Sequence, residues 1–192
     1  MIVIVKYNGG NIASVENAVN KLGYECKVSD DLKTIQNASK IIFPGVGEAS
    51  SAMKYLSEKG MDVVLKNYKK PMLGICLGLQ LMCETSEEGN TVCLKIFNTK
   101  VKRFPENEIV PHMGWNSIEI LNSTLLGNLK SKTDFYYVHS YFAEICDETT
   151  AISFYNQPFS AVLEKDNFYA TQFHPEKSAD LGYQILKNFL EL

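Results

Sequence analysis

The first half of the chain alternates short apolar runs with segments of helical character, and this alternation constrains the fold more than any other feature. Strands are predicted for IVIVKY, YECKV, KIIFPG and MLGI. Helices are predicted for SVENAVNKLG, whose apolar residues recur at helical spacing, for EASSAMKYLSEKG, for residues 61–68 and for the segment after Cys76. Strands and helices that alternate in this way form right-handed βαβ crossovers around a largely parallel sheet.

From Thr91 to His174 the pattern changes to strand-like runs separated by short polar breaks. These runs are VCLKIFN, VPHMGWNSIEI, DFYYVHSYFAE, TAISFYN and FSAVLEKDNFYATQFH. Several are close enough in sequence to pair as antiparallel hairpins. A last helix is predicted over LGYQILKNFLEL, with an apolar face formed by Leu181, Ile185, Leu186, Phe189 and Leu190. We therefore expect one α/β domain over residues 1–192, with a mostly parallel central sheet flanked by helices and an added antiparallel portion.

Composition narrows the class of function. The 192 residues are 45% hydrophobic and carry a formal net charge of −3, which indicates neither a nucleic-acid nor a membrane partner. No apolar run approaches the ~20 residues of a membrane span, and the opening MIVIVKYNGG lacks the basic leader of a signal peptide. The five cysteines include no C-x-x-C pair, which favours a reducing cytoplasm. The three histidines are not at ligand spacing, so no metal is expected.

The stretch GICLG places Cys76 between Gly74 and Gly78, the G-x-C-x-G pattern of a nucleophile elbow. A tight turn from strand to helix exposes the nucleophile, and the two glycines remove Cβ atoms that would clash with neighbouring elements. The start of the following helix favours the thiolate through its dipole. A plain buried cysteine is the alternative for this motif alone. Cys83 and Cys93 lack flanking glycines, and we interpret them as core residues.

A cysteine nucleophile needs a base, and the base needs an orienting group. His174 ends an apolar strand in QFHPEKS, and Glu176 follows it across a proline that restricts the histidine to an extended backbone. One ring nitrogen can then reach the carboxylate while the other faces the sulfur. An ordinary histidine at a strand end explains the pair as well when it is taken alone. His112 and His139 have no nearby carboxylate and are weaker candidates for the base.

Two backbone features fit an oxyanion hole, which this chemistry also needs. One donor is the N–H of Leu77, the residue after the nucleophile. The stretch FPGVGEA follows a buried strand, and its glycines allow an N–H of Val46 or Gly47 to turn toward the sulfur. A plain turn explains this stretch equally well on its own.

Five motifs, PGVGEA, GICLGLQLMCETSEEG, PHMGWN, YYVHSY and TQFHPEKS, occur in this order over essentially the whole chain. Together they resemble the glutaminase subunits of imidazole glycerol phosphate synthase, a branch of the class I (triad) glutamine amidotransferases. CLG.Q and HPE are shared by class I amidotransferases in general, whereas PGVG, HMGWN and VHSY narrow the resemblance to this branch. The opening KYNGGN departs from the aspartate-containing DYG.GN that is common in the family, because Lys6 replaces the aspartate.

The resemblance implies that Cys76 is the nucleophile, His174 the general base and then acid, and Glu176 its orienter. It also implies the residues that contact L-glutamine, namely Gly47, Leu77, Gln80, Glu88, Ser140 and Tyr141. The residue types agree with this assignment. Gln80 and Glu88 supply acceptors for a substrate ammonium group, and backbone N–H groups around Ser140 supply donors for its carboxylate. A solvated helix face is the alternative for Gln80 and Glu88.

The resemblance further implies a partner. The family hydrolyses glutamine to glutamate and ammonia, and passes the ammonia to a (β/α)8-barrel cyclase subunit within a heterodimer. The cyclase makes imidazole glycerol phosphate and an aminoimidazole carboxamide ribotide in histidine biosynthesis. This chain is too short to contain a barrel of ~250 residues. Asn11 and Trp115 are the expected interface residues, and a core tryptophan is the alternative for Trp115. No cofactor is expected.

Other functions stay open at the level of sequence. A paralogous amidotransferase subunit that feeds ammonia to a sugar-modifying synthetase shares every catalytic motif named above. A non-catalytic scaffold has no reason to keep Cys76, His174 and Glu176 together. A free-standing cysteine hydrolase or peptidase is compatible with the fold, but CLG.Q combined with SEEG favours a small zwitterion over a peptide.

Overall fold

The computed structural model describes residues 1–105, 109–127 and 129–192. Its strands are β1 (Ile2–Val5), β2 (Cys26–Ser29), β3 (Lys40–Gly45), β4 (Met72–Cys76), β5 (Thr85–Ser86), β6 (Thr91–Val92), β7 (Lys100–Arg103), β8 (His112–Ile120), β9 (Thr133–His139), β10 (Tyr141–Ala143), β11 (Thr149–Tyr155), β12 (Gln157–Lys165) and β13 (Phe168–Thr171). Its helices are α1 (Ile12–Lys21), α2 (Leu32–Asn37), α3 (Ala49–Glu58), α4 (Met61–Lys66), α5 (Leu77–Met82) and α6 (Ala179–Glu191). No helix of the described ranges is long and apolar enough to cross a lipid bilayer.

One nine-stranded sheet organises the molecule, in the order β2-β1-β3-β4-β13-β12-β11-β8-β9. The strands from β2 to β13 pair in parallel, and those from β13 to β9 pair antiparallel. A smaller sheet, in the order β10-β7-β5-β6, contacts the large one where β10 meets β12. The predicted α/β fold is therefore confirmed. Most of the added antiparallel portion continues the parallel sheet instead of standing apart from it.

The alternation of side chains along β1 explains how both faces of the parallel half are covered. Val3 and Val5 belong to a core cluster that includes residues of α3 and α4. Ile2 and Ile4 belong to a second cluster, which includes residues of α1 and α6. A strand buried on both faces is expected in a parallel sheet, and each such side chain contributes about 1.5–3 kcal/mol by burial. The helices therefore fix the sheet from both sides.

The last helix meets the rest of the molecule through a different residue than expected. Its buried residues include Ile185, Leu186, Phe189 and Leu190, as predicted. The prediction for Leu181 is wrong, because this side chain is 42% exposed. Gly182 takes the buried position, and a Cβ atom there would lie only 1.9 Å from the Pro175 carbonyl oxygen. The close approach of α6 to the turn at residues 175–177 therefore requires a glycine.

Two local predictions differ from the structure for reasons that hydrogen bonding explains. In the predicted strand VCLKIFN, only Val92 belongs to a strand, β6. The backbone N–H groups of residues 94–97 instead donate to carbonyls of residues 81–83, which satisfies the carboxyl end of α5. The helix α2 was not predicted, although Asp31 caps it by accepting a hydrogen bond from the Thr34 N–H at 2.7 Å.

Candidate active site

Three neighbouring parallel strands end at one edge of the sheet, and the predicted site residues follow directly from these ends. The nucleophile candidate Cys76 is the last residue of β4. Val46 comes directly after β3, and His174 comes shortly after β13. Because β3, β4 and β13 are adjacent, their carboxyl ends bring these residues together.

Cys76 occupies a strained turn between β4 and α5. Its φ of 54° and ψ of −105° form a combination that residues with a side chain rarely adopt. A Cβ atom at Gly74 would lie 2.5 Å from the Met82 Sδ, and one at Gly78 would lie 2.0 Å from the Phe43 carbonyl oxygen. The two glycines are therefore needed for α5 to approach β3 and β4 this closely. This turn has the geometry of a nucleophile elbow.

His174 and Glu176 form a buried pair beside this turn. His174 Nδ1 lies 2.8 Å from Glu176 Oε1, and both side chains are almost completely buried. Burial disfavours the charged imidazole. The Cys76 thiolate nevertheless raises the pKa of His174 to about 10, through its charge and a hydrogen bond, with help from the hydrogen bond and charge of Glu176. The three groups therefore suit a thiolate–imidazolium pair that a carboxylate orients.

The second ring nitrogen of His174, Nε2, lies on the side of the ring away from Glu176. None of the described residues gives Nε2 a hydrogen bond of normal geometry, although the atom is buried. Catalytic hydrogen bonds are often loose in a ligand-free enzyme and tighten when the substrate binds. This nitrogen can therefore take the proton of an attacking thiol or give one to a leaving group.

Gln172 is a buried site residue that the sequence did not indicate. Its Nε2 lies 3.7 Å from the Cys76 Sγ, and its Oε1 accepts a hydrogen bond from Gln80 Nε2 at 3.3 Å. On another side of the sulfur, the Val138 carbonyl oxygen lies 3.8 Å away. An amide at the end of an otherwise apolar strand, two residues before His174, was the signal that could have identified it.

A cavity of about 190 Å³ opens beside the sulfur. Its lining residues are Val46, Gly47, Cys76, Leu77, Gln80, Glu88, Pro111, Val138, His139, Ser140 and Tyr141. All the predicted substrate contacts are in this set. The cavity is smaller than the ~300–1,000 Å³ of pockets for drug-sized ligands, so it suits a single amino acid better than a peptide.

The oxyanion candidates Val46, Gly47 and Leu77 line the cavity. The Gly10 N–H donates to the Val46 carbonyl oxygen at 3.0 Å. The carbonyl of a trans peptide and the next N–H point in opposite directions, so the Gly47 N–H points away from Gly10. Gly47 has a φ of +132°, a conformation that residues with a Cβ atom rarely adopt. Behind this loop, a Cβ atom on Gly45 would lie 2.0 Å from the Tyr7 hydroxyl oxygen.

Gln80 and Glu88 present acceptors to the cavity from two different elements. Gln80 is only 4% exposed, so the alternative of a solvated helix face is wrong for this residue. Its Nε2 also donates to the Tyr141 carbonyl oxygen at 2.8 Å, which leaves its Oε1 free for a ligand. Glu88 Oε2 accepts a hydrogen bond from the Ala49 N–H at 2.7 Å. Burial raises the pKa of Glu88, and the bond from Ala49 opposes this shift.

The two predicted interface residues lie in different surroundings. Trp115 is 56% exposed on β8, so it is neither a core residue nor part of a loop. Met113, two residues earlier on the same face of β8, is 63% exposed. The Asn11 side chain is partly buried and donates a hydrogen bond to Glu176 Oε1. Asn11 therefore orients the carboxylate that in turn orients His174.

The remaining cysteines and histidines have other surroundings. Cys83 and Cys93 are buried, and burial raises the pKa of the Cys93 thiol to about 12, so it stays uncharged at neutral pH. His112 Nδ1 lies 2.9 Å from His139 Nε2. Both histidines lack a carboxylate partner in residues 1–105, 109–127 and 129–192. Those residues also include no group of three or more histidine, cysteine or acidic side chains placed to hold a metal ion.

Comparison with known proteins identifies the family of the chain. The family model described as glutamine amidotransferase class-I matches residues 3–192. The chain is 53% identical over 194 residues to "Imidazole glycerol phosphate synthase subunit HisH" of Bacteroides fragilis, covering 100% of this chain and 99% of that protein. It is 41% identical over 192 residues to a protein of the same name from Pasteurella multocida, covering 99% and 97%.

Solved structures share the fold. One titled "Crystal structure of glutamine amidotransferase" superposes with a TM-score of 0.78 at 18% identity, covering 100% of this chain and 98% of that one. Another, titled "Structure of PurLQS from Thermotoga maritima", gives a TM-score of 0.75 at 16% identity, covering 99% and 97%. At these identities the structures support the architecture alone.

Proposed function

The chain belongs to the class-I glutamine amidotransferase family, and we propose that it hydrolyses L-glutamine to glutamate and ammonia for imidazole glycerol phosphate synthesis in histidine biosynthesis. The observation that carries this proposal is the convergence of Cys76, His174 and Glu176 beside a cavity of amino-acid size. The whole of residues 1–192 acts as one amidotransferase domain. Relatives that match the full chain carry the name of the histidine-pathway subunit, which favours this pathway over a sugar-modifying synthetase.

The reaction divides into two steps at the sulfur. The Cys76 thiolate attacks the carboxamide carbon of glutamine, and the N–H groups of Leu77 and of Val46 or Gly47 stabilise the developing oxyanion. The carbon–nitrogen bond then breaks as His174 gives its proton to the leaving ammonia, which leaves a thioester. Water attacks the thioester while His174 takes one of its protons, and glutamate departs as the thiolate reforms.

Recognition of glutamine uses the acceptors and donors that line the cavity. The free Oε1 of Gln80 and the carboxylate of Glu88 accept hydrogen bonds from the substrate ammonium. The backbone N–H groups at Ser140 and Tyr141 donate to its carboxylate. Gly47 and Leu77 enclose the carboxamide end, nearest the sulfur. A charged, small zwitterion satisfies this arrangement, and a peptide bond does not.

The ammonia is proposed to pass to a (β/α)8-barrel cyclase subunit in a heterodimer, because relatives that match the full chain are named as one subunit of a synthase. The exposed face of β8, with Met113 and Trp115, is the proposed contact. The Trp115 and Tyr136 rings pack edge to face at 6.1 Å, and the Tyr136 carbonyl oxygen accepts the His174 N–H at 2.9 Å. A partner that contacts Trp115 is therefore separated from the backbone of His174 only by Tyr136.

Asn11 is the second proposed interface residue, since its side chain is only partly buried. A partner that contacts Asn11 therefore touches the residue that donates a hydrogen bond to Glu176.

The five free cysteines fit a reducing compartment, and we place the enzyme in the cytoplasm.

A glutamine-analogue diazoketone tests the assignment of the nucleophile. We expect it to label Cys76 and none of Cys26, Cys83, Cys93 or Cys146, because Cys76 alone lies at an elbow beside a histidine. Glutamine should protect the thiol. Cys76→Ala should abolish labelling, and the matched control Cys83→Ala should leave it unchanged. Peptide mapping that finds the label on Cys83 or Cys93 contradicts the assignment.

A second experiment tests the dependence on a partner. We expect the isolated chain to hydrolyse glutamine slowly, because a glycine-flanked oxyanion donor can rest in a position that a neighbour corrects. Addition of the cyclase subunit with its ligand should raise the rate by about 10²–10³, the usual value of one such donor. Full glutaminase activity in the isolated chain contradicts this part of the proposal.

A further inference from the structure

A chain of hydrogen bonds runs from β8 to the wall of the substrate cavity. Asn116 Nδ2 lies 3.3 Å from His112 Nε2. His112 Nδ1 lies 2.9 Å from His139 Nε2, and His139 Nδ1 lies 2.8 Å from the Tyr141 carbonyl oxygen. The mechanism proposed above uses neither histidine. Four groups from two neighbouring strands and the start of a third are thus joined end to end.

The carbonyl at one end fixes the position of every proton in the chain. A carbonyl oxygen only accepts, so the His139 Nδ1 must carry the hydrogen and its Nε2 must be the acceptor. His112 must then carry its hydrogen on Nδ1, and its Nε2 accepts from the Asn116 amide. Burial lowers the pKa of His112 to about 4 and that of His139 to about 3, so both rings are neutral near pH 7.

We propose that His112 and His139 are positioning residues that hold the Tyr141 carbonyl, and through it Gln80, in the orientation that binds glutamine. The proposal rests on the function proposed above. The Tyr141 carbonyl oxygen accepts from both His139 Nδ1 and Gln80 Nε2, each at 2.8 Å. With its Nε2 held there, Gln80 directs its Oε1 toward the substrate ammonium. The Tyr141 carbonyl oxygen and Gln172 Oε1 together therefore determine which end of the Gln80 amide the substrate meets. We call the hydrogen-bonded chain from Asn116 to the Tyr141 carbonyl the relay, and it holds one of these two acceptors in place.

The same relay connects the cavity with the exposed face of β8. Successive side chains of a strand point to opposite faces, so His112 and Asn116 lie opposite Met113 and Trp115. His112 is held between the rings of Tyr137 at 5.0 Å and Tyr155 at 4.2 Å, which restricts it to a single position. Any displacement of β8 by a molecule bound to its exposed face is then passed to Tyr141 through hydrogen bonds of fixed direction.

Substitution of His112 separates this role from simple packing. His112→Phe keeps an aromatic ring between Tyr137 and Tyr155 but removes both hydrogen bonds. We expect it to raise the KM for glutamine about fivefold to tenfold, with kcat changed by less than about threefold, because the pocket loses one fixed acceptor position. His112→Asn keeps a donor near the Nδ1 position, so it should restore KM to within about twofold of the wild-type value.

Two further variants keep the result interpretable. Phe159 packs against both histidines, with ring centroids 6.0 Å and 5.2 Å away, but makes no bond in the relay. Phe159→Leu should lower the melting temperature and leave KM unchanged. If His112→Phe does not fold, Asn116→Leu at a half-exposed position removes the outer donor, and it should raise KM about twofold.

Glutamine hydrolysis by the full chain, followed over a range of glutamine concentrations, decides between the outcomes. A raised KM in His112→Phe that His112→Asn reverses supports the relay. A wild-type KM in His112→Phe, or equal increases in His112→Phe and Phe159→Leu, overturns it while the proposed function stands. Absence of glutamine hydrolysis in the wild-type chain, alone and with the cyclase subunit, overturns the proposed function and this inference together.

Discussion

The parallel and antiparallel halves of the nine-stranded sheet contribute to the site in different ways. The parallel half supplies the proposed reacting side chains, since Cys76 ends β4 and His174 follows β13. The antiparallel half supplies the opposite wall, largely through backbone atoms such as the Val138 carbonyl oxygen. Adjacent parallel strands release their loops at one edge, which gathers side chains from distant parts of the sequence. In an antiparallel hairpin such as β8–β9, alternate side chains of each strand instead point to opposite faces of the sheet.

The proposed chemistry and its control are therefore separated within one small domain. A change at a parallel strand end alters a reacting group. We expect a change on β8 to alter the position of the cavity wall, because one face of β8 is exposed at Trp115 and the other carries His112, which contacts His139 in that wall. We therefore expect substitutions in the parallel half to lower kcat and those in the antiparallel half to change KM or partner binding.

The largest effect is expected at the base and its orienter. His174→Ala should lower the glutaminase kcat by about 10⁴-fold or more, because no other group takes the proton. Glu176→Gln keeps the size of the side chain but removes the charge that stabilises the imidazolium, and should cost about 10²–10⁴. Steady-state kinetics with Glu25→Gln, an exposed carboxylate before β2, provide the control. A Glu176→Gln rate close to that of the wild type contradicts the proposed role of Glu176 as orienter of the base.

The next effect concerns the charge at the ammonium end of the cavity. Glu88→Gln keeps an acceptor for the Ala49 N–H and removes the negative charge. We expect KM to rise about tenfold to hundredfold with a nearly unchanged kcat, as for loss of a hydrogen bond to a charged group. Glu87→Gln is the matched control, because Glu87 contacts Lys102 at the surface instead. Equal KM values for the two variants contradict the role of Glu88.

Acid should weaken the antiparallel half through its buried histidines. Burial lowers the pKa of His112 from 6.5 to about 4 and that of His139 from 6.5 to about 3. The stability that they contribute is therefore complete above pH 6.5 and is lost as the pH falls toward 4, by up to ~1.4 kcal/mol per pH unit for each histidine. His174 adds little slope below pH 6, because its raised pKa leaves it protonated in both the folded and unfolded states.

Denaturant unfolding between pH 6 and pH 5, where His174 adds little slope, measures this effect. The free energy of unfolding should fall with falling pH in the wild-type chain, and fall less steeply in His112→Phe. The melting temperature should follow the same trend. An equal slope in the two proteins shows that His112 is protonated in the folded state at these pH values, which contradicts a neutral relay.

The smallest effect on the isolated chain is expected at the exposed face of β8. Trp115→Ala removes no core contact, so the free energy of unfolding should change by less than about 0.5 kcal/mol. Binding to the cyclase subunit should weaken by about 2 kcal/mol, as for an aromatic residue at the centre of an interface. Val63→Ala, an equally exposed apolar residue on α4, is the control for calorimetric titration. Unchanged cyclase affinity in Trp115→Ala places the interface elsewhere.

The sequence predicted the parallel half better than the antiparallel half for a physical reason. The alternation of strands and helices and the glycines around Cys76 are local patterns, and they identified β1, β3, β4 and the elbow. Strand limits in the antiparallel half depend on which backbone groups find partners, as the failed prediction for VCLKIFN shows. Leu181 was misplaced because the contact of Gly182 with Pro175 is tertiary.

The candidate site shows the same division. The proposed triad of Cys76, His174 and Glu176 could be named from the sequence because each residue lies in a short motif with a known chemical requirement. The hydrogen bond between Asn11 and Glu176 joins residues 165 positions apart, and no local pattern indicates it. Gln172 and the pairing of His112 with His139 likewise depend on how distant strands meet. Sequence therefore indicated the proposed reacting groups, and the fold shows which residues contact them.

The two nitrogen sources of the complete synthase distinguish the proposed role of this chain, which is to make ammonia at Cys76, from the chemistry of the cyclase subunit. Product formation is measured with glutamine and with ammonium salt at high pH, where unprotonated ammonia is abundant, for wild type and Cys76→Ala in complex with the cyclase subunit. We expect Cys76→Ala to lose glutamine-dependent synthesis by more than about 10⁴-fold and to keep ammonium-dependent synthesis within about threefold. Equal loss of both activities in a variant that still binds its partner would contradict the proposed role.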